Sequence, residues 1–204
     1  MAKITSITVQ KKDKKRCNIF LDNEFFMGVS VETIYKHSLK IGMEISEKQL
    51  NSMIFDSERT EALEKAISYI SKAIKTKKQV KDYLIKKGYD ESIVWEVIDR
   101  LKEYDYINDA VYAKSFMEST SRSQGRKLME YKLMNKGVKK EDINLASDLC
   151  EIPHKENARI LAEKYMRHKE KTKENFIKLY RYLISRGFSY DEVDFACSPF
   201  KEED

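Results

Sequence analysis

The chain has 204 residues, of which 41% are hydrophobic and 36% charged, with two prolines, six glycines and a formal net charge of +5. That apolar share can fill a core, which excludes wholesale disorder, and the shortage of helix breakers favours α structure. The positive balance suits a polyanionic partner without requiring one. No apolar run approaches the roughly 20 residues that cross a bilayer, and the opening Met1-Ala2-Lys3-Ile4-Thr5-Ser6 lacks the apolar centre of a signal peptide. A cytoplasmic chain with no membrane attachment is expected.

The first stretch differs from the rest. Ile4-Thr5-Ser6-Ile7-Thr8-Val9 is rich in β-branched residues and predicts a strand. A charged turn, Lys11-Lys12-Asp13-Lys14-Lys15, leads to a return strand at Cys17-Asn18-Ile19-Phe20-Leu21. Asp22-Asn23 turns the chain again into Glu24-Phe25-Phe26-Met27-Gly28-Val29. A small hairpin or meander follows, and since an isolated hairpin is barely stable it should lean on a helix over 31–39. Residues 40–45 are placed to return to the sheet. Ser46 and Gln49 have capping-box spacing, which opens a helix towards Phe55.

From about Ser57 the pattern is helical and repeats. Gly88, Gly137 and Gly187 are each preceded by a basic residue (Lys87, Lys136, Arg186) and followed by an apolar one (Tyr89, Val138, Phe188). With the glycines in register, Val80, Met129 and Leu179 align, as do Leu84, Leu133 and Leu183. After the glycines, Val94, Ile143 and Val193 align, and so do Val97, Ala146 and Ala196. The positions before the glycine share one helix face. The glycine then supplies the left-handed residue that ends the helix, with the basic residue at the carbonyl end of the dipole. The later positions form the buried stripe of a second helix. Preceding helices over 61–74, 110–119 and 157–168 complete three modules of about fifty residues each. The predicted fold is mainly α: a tandem array of three three-helix repeats, elongated and curved, behind a small N-terminal β extension. The divisions expected are 1–57, 58–108, 109–152 and 153–204.

Residues suited to catalysis do not converge. His37, His154 and His168 are scattered without ligand spacing, and Cys17, Cys150 and Cys197 lack the pairing of a zinc or redox motif. Free thiols, no metal and no cofactor are expected. Ser123-Gln124-Gly125-Arg126-Lys127 lacks the second glycine and the Lys-Ser/Thr pair of a phosphate loop. Asp191, Glu192 and Asp194 suit a helix start better than a metal site. The chain therefore reads as a non-enzyme. Its unevenly spread feature is positive charge: Lys77, Lys78 and Lys81 in the first repeat, and Arg122, Arg126, Lys127, Lys132, Lys139 and Lys140 in the second. Both clusters begin where a loop meets a helix, where backbone N–H groups also favour anions. A solvated face is the plainer reading of any single lysine, whereas the clusters together are candidates for partner or DNA contact. Tyr83, Tyr131 and Tyr182 do not share a register, so no base-stacking platform is expected.

These residues resemble a known family. Three tandem Leu-x-x-x-Gly-apolar steps look like RecX proteins. The link Leu101-Lys102-Glu103-Tyr104-Asp105-Tyr106-Ile107-Asn108-Asp109-Ala110-Val111-Tyr112-Ala113-Lys114-Ser115-Phe116 is similar to the family's signature between its first two repeats. Asp105 stands at the usual glycine, which predicts strain or a differently shaped turn there. Asn108 replaces an acid, but Asn is an equally good N-cap. The resemblance covers about 58–197, and the β-rich start is similar to the N-terminal extension of longer members. It implies a monomer that binds the RecA–single-stranded DNA filament in its groove, restrains it, and so alters ATP hydrolysis, strand exchange and SOS induction. Direct DNA contact is a further implication, and a free-standing nucleic-acid binder is the alternative.

Overall fold

A computed structural model of the chain describes residues 2–11 and 13–201. Those residues divide into two compact units, one within 2–73 and 80–104 and the other within 74–79 and 105–201.

The first unit opens with the expected meander. β1 (Ala2–Val9), β2 (Arg16–Leu21) and β3 (Glu24–Ser30) pair antiparallel, and β4 (Glu44–Ile45) returns to pair with Ala2 and Lys3, giving the order β3-β2-β1-β4. Alternation places Cys17, Ile19 and Leu21 on the buried face with Ile4, Val29 and Ile45. Asp22 and Asn23 both take positive φ in the β2–β3 turn, the conformation that tight hairpins demand. Helix α1 (Val31–Lys36) starts at a Ser30 cap and is shorter than expected. Ser38 takes φ 49°, and the N–H of Leu39 returns to the carbonyl of Ile34, so a left-handed turn ends the helix before Leu39.

The helices expected near 47–55 and 61–74 are one helix, α2 (Glu47–Ile70). It starts at the Ser46–Gln49 capping box, and no glycine or proline interrupts it. Residues 71–76 then form a turn and irregular chain, so the helical stretch stops short of Ile74.

The remaining helices follow the aligned positions. They are α3 (Lys77–Lys86), α4 (Glu91–Glu103), α5 (Asp109–Thr120), α6 (Arg126–Asn135), α7 (Lys140–Asp148), α8 (His154–Met166), α9 (Lys173–Ser185) and α10 (Tyr190–Cys197), with a 3-10 turn at Ser198–Phe200. All twelve aligned aliphatic side chains are buried. Gly88, Gly137 and Gly187 have φ 90°, 82° and 87°. After each, the next residue's N–H returns to the leucine five before it: Tyr89 to Leu84, Val138 to Leu133, Phe188 to Leu183. The glycine N–H returns to the residue three before, so all three helices end in the same Schellman turn. Val138 joins Leu133 in one apolar cluster, and Phe188 joins Leu183 in another.

Within the second unit the glycine turns also serve as seats for helix starts. The N–H groups of Gly125 and Lys127, at the start of α6, donate to the carbonyls of Arg186 and Gly187, at the end of α9, at 2.9 and 3.2 Å. Gly125 has no side chain to cap α6, and the neighbouring carbonyls cap it instead. The Thr76 hydroxyl likewise donates to the carbonyl of Lys136 at 2.8 Å, which seats the start of α3 on the end of α6. A Cβ on Gly125 would strike the backbone of Gly187 and Phe188, and one on Gly137 would strike the Lys78 side chain. Helix α9 begins at Thr172, fifteen residues before its glycine, whereas α3 and α6 begin twelve residues before theirs.

Candidate interaction surface

The sequence-selected cations divide by what they touch. Lys78 reaches the carbonyl of Asn135 at 3.4 Å, and its stem covers Gly137. Lys81 pairs with Glu91 at 2.6 Å and lies 4.5 Å above the Trp95 ring; this pairing holds the Glu91 carboxyl below its usual range. Arg126 pairs with Glu130 at 2.6 Å, one turn along α6. Lys127 stands 5.5 Å above the ring of Tyr190. The backbone N–H of Lys77 donates to Asp109 at 2.8 Å. Arg122, Lys132, Lys139 and Lys140 have no carboxylate partner among the described residues, and all but the half-buried Lys132 are exposed.

The helix starts do not offer the open anion-binding amides that the sequence suggested. At α6 the amides of Gly125 and Lys127 are taken by Arg186 and Gly187, and at α3 the amide of Lys77 is taken by Asp109. These amides are taken because each start forms a junction with a neighbouring helix. Lys139 and Lys140 are different. They open α7 with no side-chain cap, followed by Glu141 and Asp142 in the first turn. Exposed cations beside a helix start provide a positive surface, tempered by those two acids.

Sequence reading missed a polar cluster in the first unit. Buried Asp56, on α2, accepts from Lys36 and His37 at 2.7 Å each and pairs with Arg59 at 3.2 Å. Burial alone would raise the Asp56 carboxyl, but hydrogen bonds from Lys36 and His37 and the charges of Lys36 and Arg59 outweigh it and hold it below the usual range. The cluster fastens α1 to α2. Lys36 and His37 lie 20 and 19 residues from Asp56 in sequence, so no local spacing reveals their part in the cluster.

Other candidate chemistry does not assemble. Burial pushes His154 below its usual value; Glu192 opposes the shift, and Arg126 adds to it. Cys17 and Cys197 are buried, and burial pushes the Cys197 thiol up to about 11. Glu192 completes the Ser189 capping box of α10, as its place near a helix start suggested. Lys12, in the charged hairpin turn, lies outside the described residues. Among the described residues no group of His, Cys, Asp or Glu could hold a metal ion, and no helix is long and apolar enough to cross a membrane.

Comparison with known proteins matches this architecture part by part. Family models match at residues 2–46 (Regulatory protein RecX N-terminal domain), 62–101 (RecX, first three-helix domain) and 155–197 (RecX, third three-helix domain). The Regulatory protein RecX of Clostridium botulinum (strain Alaska E43 / Type E3) is 39% identical over 198 residues, covering 95% of this chain and 93% of the relative. That of Bacillus thuringiensis (strain Al Hakam) is 35% identical over 216 residues, covering 100% and 78%. A crystal structure of regulatory protein RecX superposes with a TM-score of 0.80 at 25% identity, over 97% of this chain and all of the other. A crystal structure of RecX from Lactobacillus salivarius gives 0.63 at 26%, over 70% and 96%.

Proposed function

The chain belongs to the RecX family of regulatory proteins, and on that premise we propose that it modulates the RecA recombinase by binding the RecA–single-stranded DNA filament. The observation that carries this reading is the match to RecX along nearly the whole chain, N-terminal extension included. Regulation of this kind needs no chemistry. A protein that binds one filament state more tightly than another shifts the population towards it, and a hundredfold preference corresponds to about 2.7 kcal/mol.

Contact with the filament is assigned first to Arg122, Lys132, Lys139 and Lys140. Charges not neutralised within the fold remain available to phosphates or to acidic protein surface. Lys77, Lys78, Lys81, Arg126 and Lys127 are assigned second, because several of them are engaged internally. Restraint of filament growth, ATP hydrolysis, strand exchange and SOS induction follows as the functional consequence.

The test is binding to RecA assembled on single-stranded DNA, compared with the same DNA alone, across a salt series. Tighter binding to the assembled filament supports the proposal. Equal binding to bare DNA, with a steep salt dependence, would instead favour a free-standing nucleic-acid binder.

A further inference from the structure

We propose that the outer edge of β1, from Thr5 to Val9, is a docking site for an extended acidic segment of a partner protein, which joins the sheet as a fifth strand. This inference is independent of the RecA reading.

Strand β4 covers only one end of that edge. It pairs with Ala2 and Lys3, and the adjoining Gly42 and Met43 bond both backbone groups of Ile4. Among the described residues no strand pairs with β1 on that side beyond Ile4. The antiparallel register decides which groups face outward. Gln10 donates to Arg16, so the hydrogen-bonded pairs on the β2 side include Thr8 with Asn18. Ile7 and Val9, which stand opposite Ile19 and Cys17, therefore turn their N–H and C=O groups to the open side. Sheet edges are normally blunted by charge, proline or a bulge. Here the run from Ile4 to Val9 has neither charge nor proline, and its bulge lies between Ile4 and Ser6, at the end already covered. Val9 shares the face of buried Cys17 yet is 61% exposed, an apolar side chain that an added strand would cover.

Charge selects the occupant. Past Val9 the chain enters the hairpin turn, where Lys11, Lys14 and Lys15 are exposed and Asp13 is bonded back onto the Lys15 N–H. At the opposite end Lys3 stands across from Glu44 of β4, so that end carries no net bias. A strand laid along this edge meets three exposed lysines and one acid at the hairpin end, which favours acidic residues in the partner there. A second copy is a poor occupant. Two-fold antiparallel pairing about Ile7 would set Gln10 and Lys11 of each copy opposite Ile4 and Lys3 of the other, where β4, Gly42 and Met43 already occupy the edge.

The test uses the full chain and two short peptides of alternating Val and Thr, one flanked by glutamates and one by lysines. Amide hydrogen exchange at low salt is the readout. The glutamate peptide should slow exchange at Ile7 and Val9 about tenfold or more, corresponding to about 1.4 kcal/mol, whereas the lysine peptide should not. Val9→Pro removes an outward donor without breaking the β1–β2 ladder, and should abolish the protection. Lys11→Glu with Lys14→Glu, both at exposed sites, should reverse the preference between the peptides. The proposal is overturned if the glutamate peptide leaves Ile7 and Val9 unprotected, or if it protects the charge-reversed protein equally well. A dimer of the free protein with both amides already protected would also overturn it, by identifying a second copy as the occupant.

Discussion

The backbone N–H of Lys77, in the first turn of α3, donates to the carboxylate of Asp109, the first residue of α5, at 2.8 Å. One acidic residue thereby serves two helices: it sits in the positive first turn of its own and caps the first turn of another. Its neighbour Asn108 does the ordinary N-cap work, accepting from Ala110 and Val111. The paired polar residues in the link that resembles RecX thus have separate tasks. Asp109→Ala should cost about 1–2 kcal/mol, and Asp109→Asn, which keeps an acceptor, should recover most of it. Urea unfolding measures both, and equal loss in the two variants would contradict the capping role.

Gly125 and Gly88 separate two reasons for glycine. Gly88 has positive φ but open space around its missing Cβ, whereas Gly125 has φ −77° and a neighbouring backbone pressed against it. Gly88→Ala should cost about 1 kcal/mol from backbone strain alone. Gly125→Ala carries no such strain, so its cost, about 2 kcal/mol or more, comes from prising the start of α6 off the end of α9. Thermal melts should rank Gly125→Ala as the more damaging. The reverse order would remove the junction as the cause.

Asp105 takes φ 54°, so the left-handed turn survives with aspartate in place of the family's usual glycine. Asp tolerates this region better than most residues, though not as well as glycine. Asp105→Gly should therefore leave the turn intact and raise stability by up to about 1 kcal/mol, read as a higher melting temperature. A lower one would mean that the aspartate side chain does more than occupy the turn.

Acid should loosen the attachment of α1 to α2. The carboxyl of Asp56 is held below its unfolded value, so its stabilising contribution is complete above about pH 4 and is lost as pH falls through the folded value. Asp56→Asn should lower stability at neutral pH by about 2–4 kcal/mol and flatten the fall in stability below pH 4. The measurement is a set of urea midpoints from pH 3 to pH 7. An unchanged acid limb in the variant would contradict the assignment.

Much of the architecture was legible because its signals are local. Three glycines in register with apolar residues at helical spacing specified three helix pairs, and β-branched alternation specified the meander. The role of Gly125 was not legible, since a glycine with ordinary φ carries no conformational signature and its reason lies at Gly187, far along the chain. The Asp56 cluster was hidden for the same cause. The continuity of α2 was lost to a different one: a capping box marks where a helix starts, but nothing in a short window says how far it runs. Of the candidate surface, composition identified the cations, but only packing distinguished Lys81 and Arg126, which are paired, from Arg122, Lys139 and Lys140.

Charge reversal tests that distinction. Arg122→Glu, Lys139→Glu and Lys140→Glu together should leave the melting temperature within a few degrees of the parent, because exposed charges without internal partners contribute little to stability. Binding to RecA–DNA filaments should weaken at least about tenfold at low salt and less at high salt. Undiminished binding would move the contact to another surface.

The most direct test of the regulatory account is the rate of ATP hydrolysis by RecA on single-stranded DNA, measured with and without this protein at fixed salt. The account predicts a dose-dependent fall in the rate, absent when RecA is omitted and relieved in the charge-reversed variant. A rate that stays constant while the protein is folded and present in excess over RecA would contradict it.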